Sequence, residues 1–246
     1  MAIDDTLTAR LSYAVRATVA GEQKYIGFLT ENEASHALSM GKSAGIRVCL
    51  FGGYEEAERV YAAFLPEWSD ESLLSFPFSA VTFSYRECDK LSHRDFLGSI
   101  LSLGLERDTI GDILIEDGRA VMFLASSVLP YVMSQCEKVG RVGVKLKEGY
   151  TTPLPAFATF EDMSFTVPSL RLDAVVAGLC RTSRGAAAEL IEAKAVLING
   201  AIVDKVSAAV RAGDKISARG QGKFLLCDIS NTTKKGRTVV QAKKYR

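Results

Sequence analysis

The sequence predicts an α+β protein built from several small parts in series. Segments with the 3.6-residue period of amphipathic helices alternate with short apolar runs rich in β-branched and aromatic residues. Turn signals such as Gly52-Gly53 and Asp117-Gly118 separate these segments. The 246 residues, 48% of them hydrophobic, are enough to form more than one core. We expect a small N-terminal α/β domain at 1–77, a central domain at 78–150, a linker at 151–168 and a C-terminal domain at 169–246.

The N-terminal domain is predicted from helix caps and chain breaks. Thr30 followed by Glu33 is a capping box, which opens a helix ending at Gly41. Pro66 ends the last apolar segment, and the stretch from there to Pro77 is the expected junction with the next domain. The expected elements are a helix at 4–20, an apolar segment at 25–29, a helix at 30–41, a strand at 46–51 and a helix at 55–65.

In the central domain the predicted order is strand, helix, strand, strand, helix, strand, with strands at 80–85, 111–115, 119–125 and 141–146 and helices at 94–103 and 127–138. This order is the split βαβ arrangement of the ferredoxin-like fold, which RNA-recognition-motif domains share. Phe83, Tyr85 and Phe123 lie on the strands that carry base-stacking rings in such domains, but the surrounding consensus is missing. We favour a core position for these rings, and RNA stacking is the alternative.

The C-terminal domain is predicted as two short helices followed by small strands. Ser169 and Ser183 are the expected N-caps of the two helices. Asn199-Gly200 accepts the positive φ angles of a type I′ turn and predicts a hairpin at 196–203. Further strands are expected at 215–218 and 223–228. Residues 149–167, with prolines nearby, are expected to be an extended linker.

Charge is unevenly distributed along the chain, although the formal net charge is only +1. Residues 171–246 contain 15 Lys and Arg against 6 Asp and Glu, whereas residues 1–170 contain 15 against 23. The C-terminal part is therefore basic by nine charges and the rest is acidic by eight. Clustered cations of this kind indicate a surface that binds a polyanion. The alternative is a solvated face without a partner.

Composition argues against several other protein classes. No run approaches the roughly 18 apolar residues of a membrane span, and residues 1–20 lack the pattern of a secretory signal, so we expect a cytoplasmic protein. The five cysteines are far apart and form no CxxC pair, which disfavours a disulfide framework and a zinc site. We expect them to be small buried hydrophobic residues, and we expect no metal and no cofactor.

Three short strings resemble catalytic motifs but lack the required context. Gly41-Lys42-Ser43 has His36 where a phosphate-binding loop needs its first glycine. His93-Arg94-Asp95 resembles the kinase catalytic loop, yet Ile100 replaces the metal-binding Asn, and a helix cap explains the string better. Gly220-Gln221-Gly222 is expected to be a turn. We find no catalytic constellation and expect a protein that is not an enzyme, although general acids and bases need no sequence motif.

The start of the second C-terminal helix is the candidate phosphate site. The first N–H groups of a helix have no acceptor within the helix, so residues 182–184 would present N–H groups, a hydroxyl and a guanidinium to a phosphate. Arg171 and Lys194 would widen this cradle. Two structural alternatives stay open: Arg171 could form an ion pair with Asp173, and Ser183 could act only as a cap.

This pattern resembles the S-four (S4) RNA-binding domain, named after protein four of the small ribosomal subunit. The matching residues are Arg171-Leu172-Asp173, Ser183-Arg184, Ala187, Leu190-Ile191, Val196, Asn199-Gly200, Val203 and Gly213-Asp214. Lys194 departs from the pattern because such domains usually have glycine at this helix end. With a left-handed backbone, Lys194 would cost about 1–2 kcal/mol relative to glycine. The expected RNA-binding residues are Arg171, Arg181, Thr182, Ser183, Arg184, Lys194, Asn199, Lys205, Arg219, Lys223, Lys234, Lys235 and Arg237.

A wider set of motifs makes nearly the whole chain similar to the bacterial YlmH family. These motifs are Gly52-Gly53-Tyr54 with Ala57-Glu58-Arg59, residues 91–98, Leu103-Gly104, Arg107, Ile110-Gly111-Asp112-Ile113, residues 219–224 and residues 233–237. The resemblance implies an N-terminal domain, an RNA-recognition-motif-like central domain and a C-terminal S4 domain.

The family resemblance also implies partners. It predicts binding to rRNA and tRNA on the large ribosomal subunit, in quality control of ribosomes that carry stalled peptidyl-tRNA. One alternative is a protein-interaction role in cell division, with the acidic part of the chain as docking surface. A second is an RNA-modifying enzyme with an S4 appendage, although the chain has none of the strings of a pseudouridine synthase or a tyrosyl-tRNA synthetase.

Overall fold

The computed structural model describes residues 5–156, 160–232 and 236–245. The chain forms two compact units, Ala2–Phe157 and Ala158–Arg246, which we call the front unit and the C-terminal unit. No helix in the described ranges is long and apolar enough to cross a bilayer. All five cysteines are free thiols, but only Cys136 is buried. The expectation of buried cysteines is wrong for Cys88 and Cys227, which are exposed.

The front unit begins with two helices packed on a small antiparallel sheet. Its elements are α1 (Asp5–Val19), β1 (Lys24–Leu29), α2 (Glu31–Ser43), β2 (Arg47–Phe51) and β3 (Val60–Leu65), and the strand order is β1-β3-β2. The predicted capping box opens α2, because Glu33 accepts a hydrogen bond of 2.7 Å from the Thr30 N–H. The helix predicted at 55–65 is wrong. Residues 61–65 are all buried in the central strand, and a fully buried apolar run has no period that separates helix from strand.

The second half of the front unit contains β4 (Phe78–Ser84), α3 (His93–Leu101), β5 (Ile110–Glu116), β6 (Arg119–Ala125), α4 (Leu129–Gln135), β7 (Lys138–Val139), β8 (Val142–Gly143) and β9 (Lys145–Glu148), with short 3-10 helices at Glu71–Leu73 and Arg107–Thr109. The sheet order β5-β6-β4-β9, antiparallel throughout, confirms the ferredoxin-like topology. Ser92 and Asp95 form the predicted cap of α3. The strand predicted at 141–146 is divided, since β8 pairs with β7 and only β9 joins the larger sheet.

Both faces of this four-stranded sheet are covered. Phe83 lies on the face that packs against α3 and α4, where its ring meets Phe96 at 5.5 Å. Phe123 lies on the opposite face and stacks on Tyr54 from the first half of the unit, with ring centroids 5.6 Å apart. Tyr85 is half-buried, and its hydroxyl donates to the Glu116 carbonyl. The core interpretation is correct for Phe83 and Phe123, whereas Tyr85 packs against the margin of the core. The face that RNA-recognition motifs use for RNA is occupied by protein.

A buried carboxylate joins the two halves of the front unit. Asp112 on β5 accepts hydrogen bonds from the Tyr54 hydroxyl at 2.8 Å and from the backbone N–H groups of Glu58 and Arg59 at 2.7 and 3.2 Å. Arg59 in turn donates to the carbonyl groups of Phe28 and Ile110. Burial raises the pKa of Asp112, and the three hydrogen bonds act in the opposite direction. The network fixes the turn before β3 against β5.

Replacing Asp112 with alanine should destabilise the front unit. The change leaves the Tyr54 hydroxyl and two backbone N–H groups without their acceptor, at about 1–3 kcal/mol for each buried donor that stays unpaired. We expect a loss of at least about 3 kcal/mol in the free energy of unfolding, measured in urea by circular dichroism. Asp117→Ala is the matched control, because Asp117 forms an exposed ion pair with Lys90 and should matter little. Equal losses in both variants would contradict the role given to Asp112.

The C-terminal unit has two helices on one face of a six-stranded antiparallel sheet. Its elements are β10 (Phe160–Val167), α5 (Leu172–Cys180), α6 (Arg184–Glu192), β11 (Val196–Ile198), β12 (Ala201–Ile202), β13 (Lys215–Ala218), β14 (Gly222–Thr232) and β15 (Thr238–Tyr245). The order is β10-β15-β14-β13-β11-β12. Residues 160–167 are extended, as predicted, but the prediction of a linker is wrong for them. They pair with β15, whose position more than 70 residues later gives no local signal.

Candidate RNA-binding site

The junction between α5 and α6 is a tight reversal built from three residues. Arg181 ends α5 in the left-handed conformation, with φ of 52°, and the Thr182 N–H donates to the Ala177 carbonyl. Ser183 then caps α6, since its Oγ accepts a hydrogen bond of 3.1 Å from the Ala186 N–H. The predicted Ser183 cap is therefore confirmed. The reversal places the start of α6 beside the end of α5, and the Arg184 side chain reaches back to Asp173 in the first turn of α5.

The start of α5 differs from the prediction. The N-cap is Arg171 rather than Ser169, and its side chain makes no capping hydrogen bond. The N–H groups of Leu172 and Asp173 donate instead to the carbonyl groups of Ala208 and Val206. A loop about 35 residues further along the chain thus supplies the acceptors, which no local pattern could indicate. The same loop includes Lys205, whose exposed side chain lies on the segment next to this helix end.

Asp173 binds two arginines, one at the start of each helix. Its side chain is only 7% exposed and lies 3.1 Å from Arg171 Nε and 2.5 Å from Arg184 Nη2. The side chains of Arg171 and Arg184 are about half exposed, at 47% and 53%. Burial alone would raise the pKa of Asp173, but the hydrogen bonds from Arg171 and Arg184 outweigh it and lower the pKa below its usual value. The ion-pair alternative for Arg171 is correct, and the same carboxylate also holds Arg184.

The arrangement leaves both arginines able to bind an anion. A guanidinium has five N–H donors, and Asp173 uses one from Arg184 and two from Arg171. Arg184 is also the first residue of α6, where helix N–H groups have no acceptor of their own and the helix dipole is positive. The cradle of Arg171, Ser183 and Arg184 is therefore a rigid cationic surface suited to a phosphate group.

Lys194 adopts the backbone conformation that the sequence predicts for it. Its φ is +56°, and the residues around it form a complete Schellman turn at the end of α6. The Lys194 N–H donates to the Ile191 carbonyl and the Ala195 N–H donates to the Leu190 carbonyl, both at 2.9 Å. The Arg219 N–H donates to the Ala195 carbonyl, which brings the backbone of Arg219 to the same helix end. Because α6 has nine residues, this end lies about 14 Å from the start of the helix.

The other predicted contacts fall into different groups. Asn199 and Gly200 have the expected positive φ values, but the Asn199 side chain is engaged with Asp214 and the Lys215 N–H, which indicates a structural role. Arg181 is 77% exposed and lies 3.9 Å from Glu161. Lys223 in β14 lies over the Tyr245 ring, and Arg237, which directly precedes β15, donates to the Thr166 carbonyl, so both contact the sheet. Lys234 and Lys235 lie outside the described residues.

The comparison with known proteins can now be placed beside this geometry. Two family models match the chain: "Putative RNA-binding domain in YlmH" at residues 76–152 and "S4 domain" at residues 170–216. The "Ribosome-associated protein quality control protein P2" of Bacillus subtilis (strain 168) is 32% identical over 216 residues, which cover 86% of this chain and 83% of that protein. The chain belongs to the YlmH family.

A solved structure gives the YlmH-family chain a further point of comparison. It is the "Cell division protein ylmH from Streptococcus pneumoniae", with a TM-score of 0.54 at 21% identity, and it covers 62% of this chain and 94% of the other. At this identity the similarity shows the fold alone. The S4 match contains the cradle and Lys194 but ends inside β13, so β10, β14 and β15 lie outside both family models.

The ion pairs of Asp173 should give stability that depends on pH. A carboxylate with a lowered pKa stabilises the folded state above its unfolded pKa of about 3.9, and this contribution is lost as the pH falls through the folded value. Asp173→Asn should therefore be less stable than the wild type by about 2 kcal/mol at pH 7. The difference should shrink in urea unfolding experiments below about pH 4. A difference that stays constant down to pH 3 would exclude this charge effect.

Lys194→Gly should stabilise the protein. Glycine adopts positive φ without steric cost, so we expect a gain of about 1 kcal/mol in the free energy of unfolding. Lys42→Gly is the matched control, because Lys42 lies in the last turn of α2 and glycine there should cost up to about 1 kcal/mol. Urea unfolding measures the change in the free energy of unfolding, which should be positive for Lys194→Gly and negative for Lys42→Gly. A loss of stability in Lys194→Gly would contradict the backbone strain assigned to Lys194.

Proposed function

We propose that this YlmH-family chain is a non-enzymatic RNA-binding factor of the translation machinery. It would bind rRNA and tRNA on the large ribosomal subunit in the cytoplasm and act in quality control of ribosomes that carry stalled peptidyl-tRNA. The observation that carries the proposal is the pair of half-exposed arginine side chains, one from the start of each helix, that Asp173 holds together. The name of the Bacillus subtilis relative, a ribosome-associated quality control protein, supports the ribosomal assignment.

The cradle favours RNA because it matches a phosphate backbone. Arginines held in fixed positions bind phosphate through paired N–H donors, and a helix start adds further N–H groups. Phosphate contacts position a protein on nucleic acid but carry no sequence information. Lys194 and Arg219, at the far end of α6, would contact a second region of the backbone. Selectivity would then come from the shape of folded RNA, as expected for ribosomal RNA and tRNA.

A binding role fits the state of the groups at the site better than a catalytic role. The Ser183 hydroxyl accepts the N–H of Ala186, and the Asp173 carboxylate is held between two arginines with a lowered pKa. A general base needs a carboxylate that can reach a proton of the substrate, with a pKa near the working pH. Asp173 is buried beneath the guanidinium groups and is therefore suited to positioning.

A role in cell division is the second candidate. The acidic balance of residues 1–170 would suit a protein partner with a basic surface. The solved structure with this fold is titled a cell division protein. In this case the front unit, rather than the cradle, would carry the function.

Co-sedimentation with purified large ribosomal subunits tests the leading proposal. The double variant Arg171→Ala with Arg184→Ala should release the protein, because it removes both cations of the cradle. Where residual binding remains, the slope of log affinity against log salt should be flatter by about two units. Arg47→Ala with Arg86→Ala removes two arginines of the front unit that also form ion pairs, and should stay bound. Retention of the cradle variant at wild-type affinity would refute the proposal.

A further inference from the structure

Within the described residues, the helices of the C-terminal unit, α5 and α6, lie on one face of its sheet only. In β10 the even-numbered residues 160–166 point away from the helices and are exposed, whereas Met163, Phe165 and Val167 pack into the core. The register extends this alternation to the neighbours, because Phe160 is opposite Tyr245 and Asp162 is opposite Lys243. Lys243 is opposite Leu225 in β14, so Lys223 also belongs to this side. We call the side opposite α5 and α6 the outer face.

Two aromatic rings and two lysines meet at one end of the outer face. The rings of Phe160 and Tyr245 have centroids 5.0 Å apart and are inclined by 66°. The ammonium group of Lys243 lies 5.4 Å from the Phe160 ring, and that of Lys223 lies 5.0 Å from the Tyr245 ring. Phe160 is 42% exposed, which is unusual for a phenylalanine in a regular sheet. Cations therefore lie beside one exposed ring, Phe160, and one half-buried ring, Tyr245, and the four side chains come from three neighbouring strands.

A shallow groove continues from this cluster along the sheet. Its lining combines the polar side chains of Lys243, Asp162, Ser164 and Gln241 with Met163, Cys227 and Ala242. These side chains supply a cation, a carboxylate, a hydroxyl and an amide, which together can pair with both donors and acceptors. The groove thus joins an aromatic and cationic end to a region with mixed hydrogen-bonding capacity.

We propose that the outer face is a second RNA-binding surface, which stacks unpaired bases on Phe160 and Tyr245 and binds the adjoining phosphates with Lys223 and Lys243. The inference rests on the proposed RNA-binding function and adds the class of RNA: single-stranded segments, in contrast to the folded backbone at the cradle. Asp162, Ser164 and Gln241 would bind the edges of the next bases along the groove.

The chemistry of the outer face favours single-stranded RNA over other anionic partners. Proteins bind single-stranded nucleic acid through aromatic side chains that stack on bases and cations that follow the phosphates, and both are present here. The stack of a base on a ring is a stronger contact than one exposed cation–π pair, so a base can displace the lysine from the ring. The freed ammonium group then binds the phosphate beside that base. An acidic peptide would form ion pairs with the two lysines, but its carboxylates would not stack on the rings.

Fluorescence anisotropy with two RNA probes tests this surface on the full chain. One probe is a labelled 12-nucleotide oligouridylate, and the other is a fully paired RNA hairpin. Phe160→Leu with Tyr245→Leu should weaken oligouridylate binding by about tenfold or more, because both stacking rings are lost. It should leave hairpin binding and the salt dependence unchanged. Lys223→Gln with Lys243→Gln keeps the rings and should flatten the salt slope by about 1.4 for the single strand.

Tyr13→Leu with Tyr131→Leu is the matched control. Both tyrosines are exposed on the front unit, and Tyr13 also has a lysine over its ring, so this variant removes comparable rings elsewhere. It should bind both probes as the wild type does. An abasic 12-mer, which keeps the phosphates and lacks the bases, should bind the wild type at least tenfold more weakly than oligouridylate.

The possible failures are distinguishable. Wild-type affinity of the Phe160/Tyr245 variant for oligouridylate would overturn the outer-face proposal, and so would equal binding of the abasic strand. Competition by polyglutamate as effective as by unlabelled oligouridylate would overturn it in favour of an acidic protein partner. If Arg171→Ala with Arg184→Ala loses binding to the hairpin but keeps binding to oligouridylate, the result would support two separate surfaces. If that variant binds the hairpin with wild-type affinity, the result would refute RNA binding by the cradle instead.

Discussion

The two ion pairs of Asp173 determine what the C-terminal unit can present to a ligand. A carboxylate that is only 7% exposed is tolerated there because two guanidinium groups donate to it. Each arginine begins a different helix, so the carboxylate also fixes the relative position of α5 and α6. Long, flexible cations at a surface normally lose much rotamer freedom on binding. Here folding has already restricted them, and less of that entropy remains to be lost when an anion arrives.

The two larger sheets of the protein use their faces in opposite ways. The ferredoxin-like sheet has the topology of an RNA-recognition motif, but Phe123 and its neighbours are covered by Tyr54, Phe28 and other residues of the same unit. Asp112 holds this cover in place through the turn before β3. The sheet of the C-terminal unit has the reverse arrangement, with one face under the helices and, on the other, the exposed Phe160 ring beside the half-buried Tyr245 ring. Topology therefore does not tell which sheet binds a ligand.

Local chemistry could be read from the sequence, and long-range pairing could not. The Ser183 cap, the Asn199-Gly200 turn and the strained Lys194 depend on neighbours within a few residues, and all three have the expected geometry. Strand β3 was missed because its buried run has no period, and β10 because its partner is far along the chain. The start of α5 was displaced because the loop at 206–208 supplies its acceptors. The sequence could not indicate the ring pair of Phe160 and Tyr245 either, because the two residues lie on strands far apart in the chain.

The position of β15 imposes an order on assembly. β15 lies between β10 and β14 and pairs with both, yet it is the last strand of the unit in the chain. During synthesis β10 is made first, and its partner β15 follows some 70 residues later. Pairing the two strands closes a long loop, which costs entropy. Until then the edges of β10 and β14 stay open to mispairing with other chains. The helices and the cradle need the chain only as far as the loop at 206–208, which supplies acceptors to the start of α5, so they can form earlier. The outer face, with one ring in the first strand and one in the last, is completed only at the end.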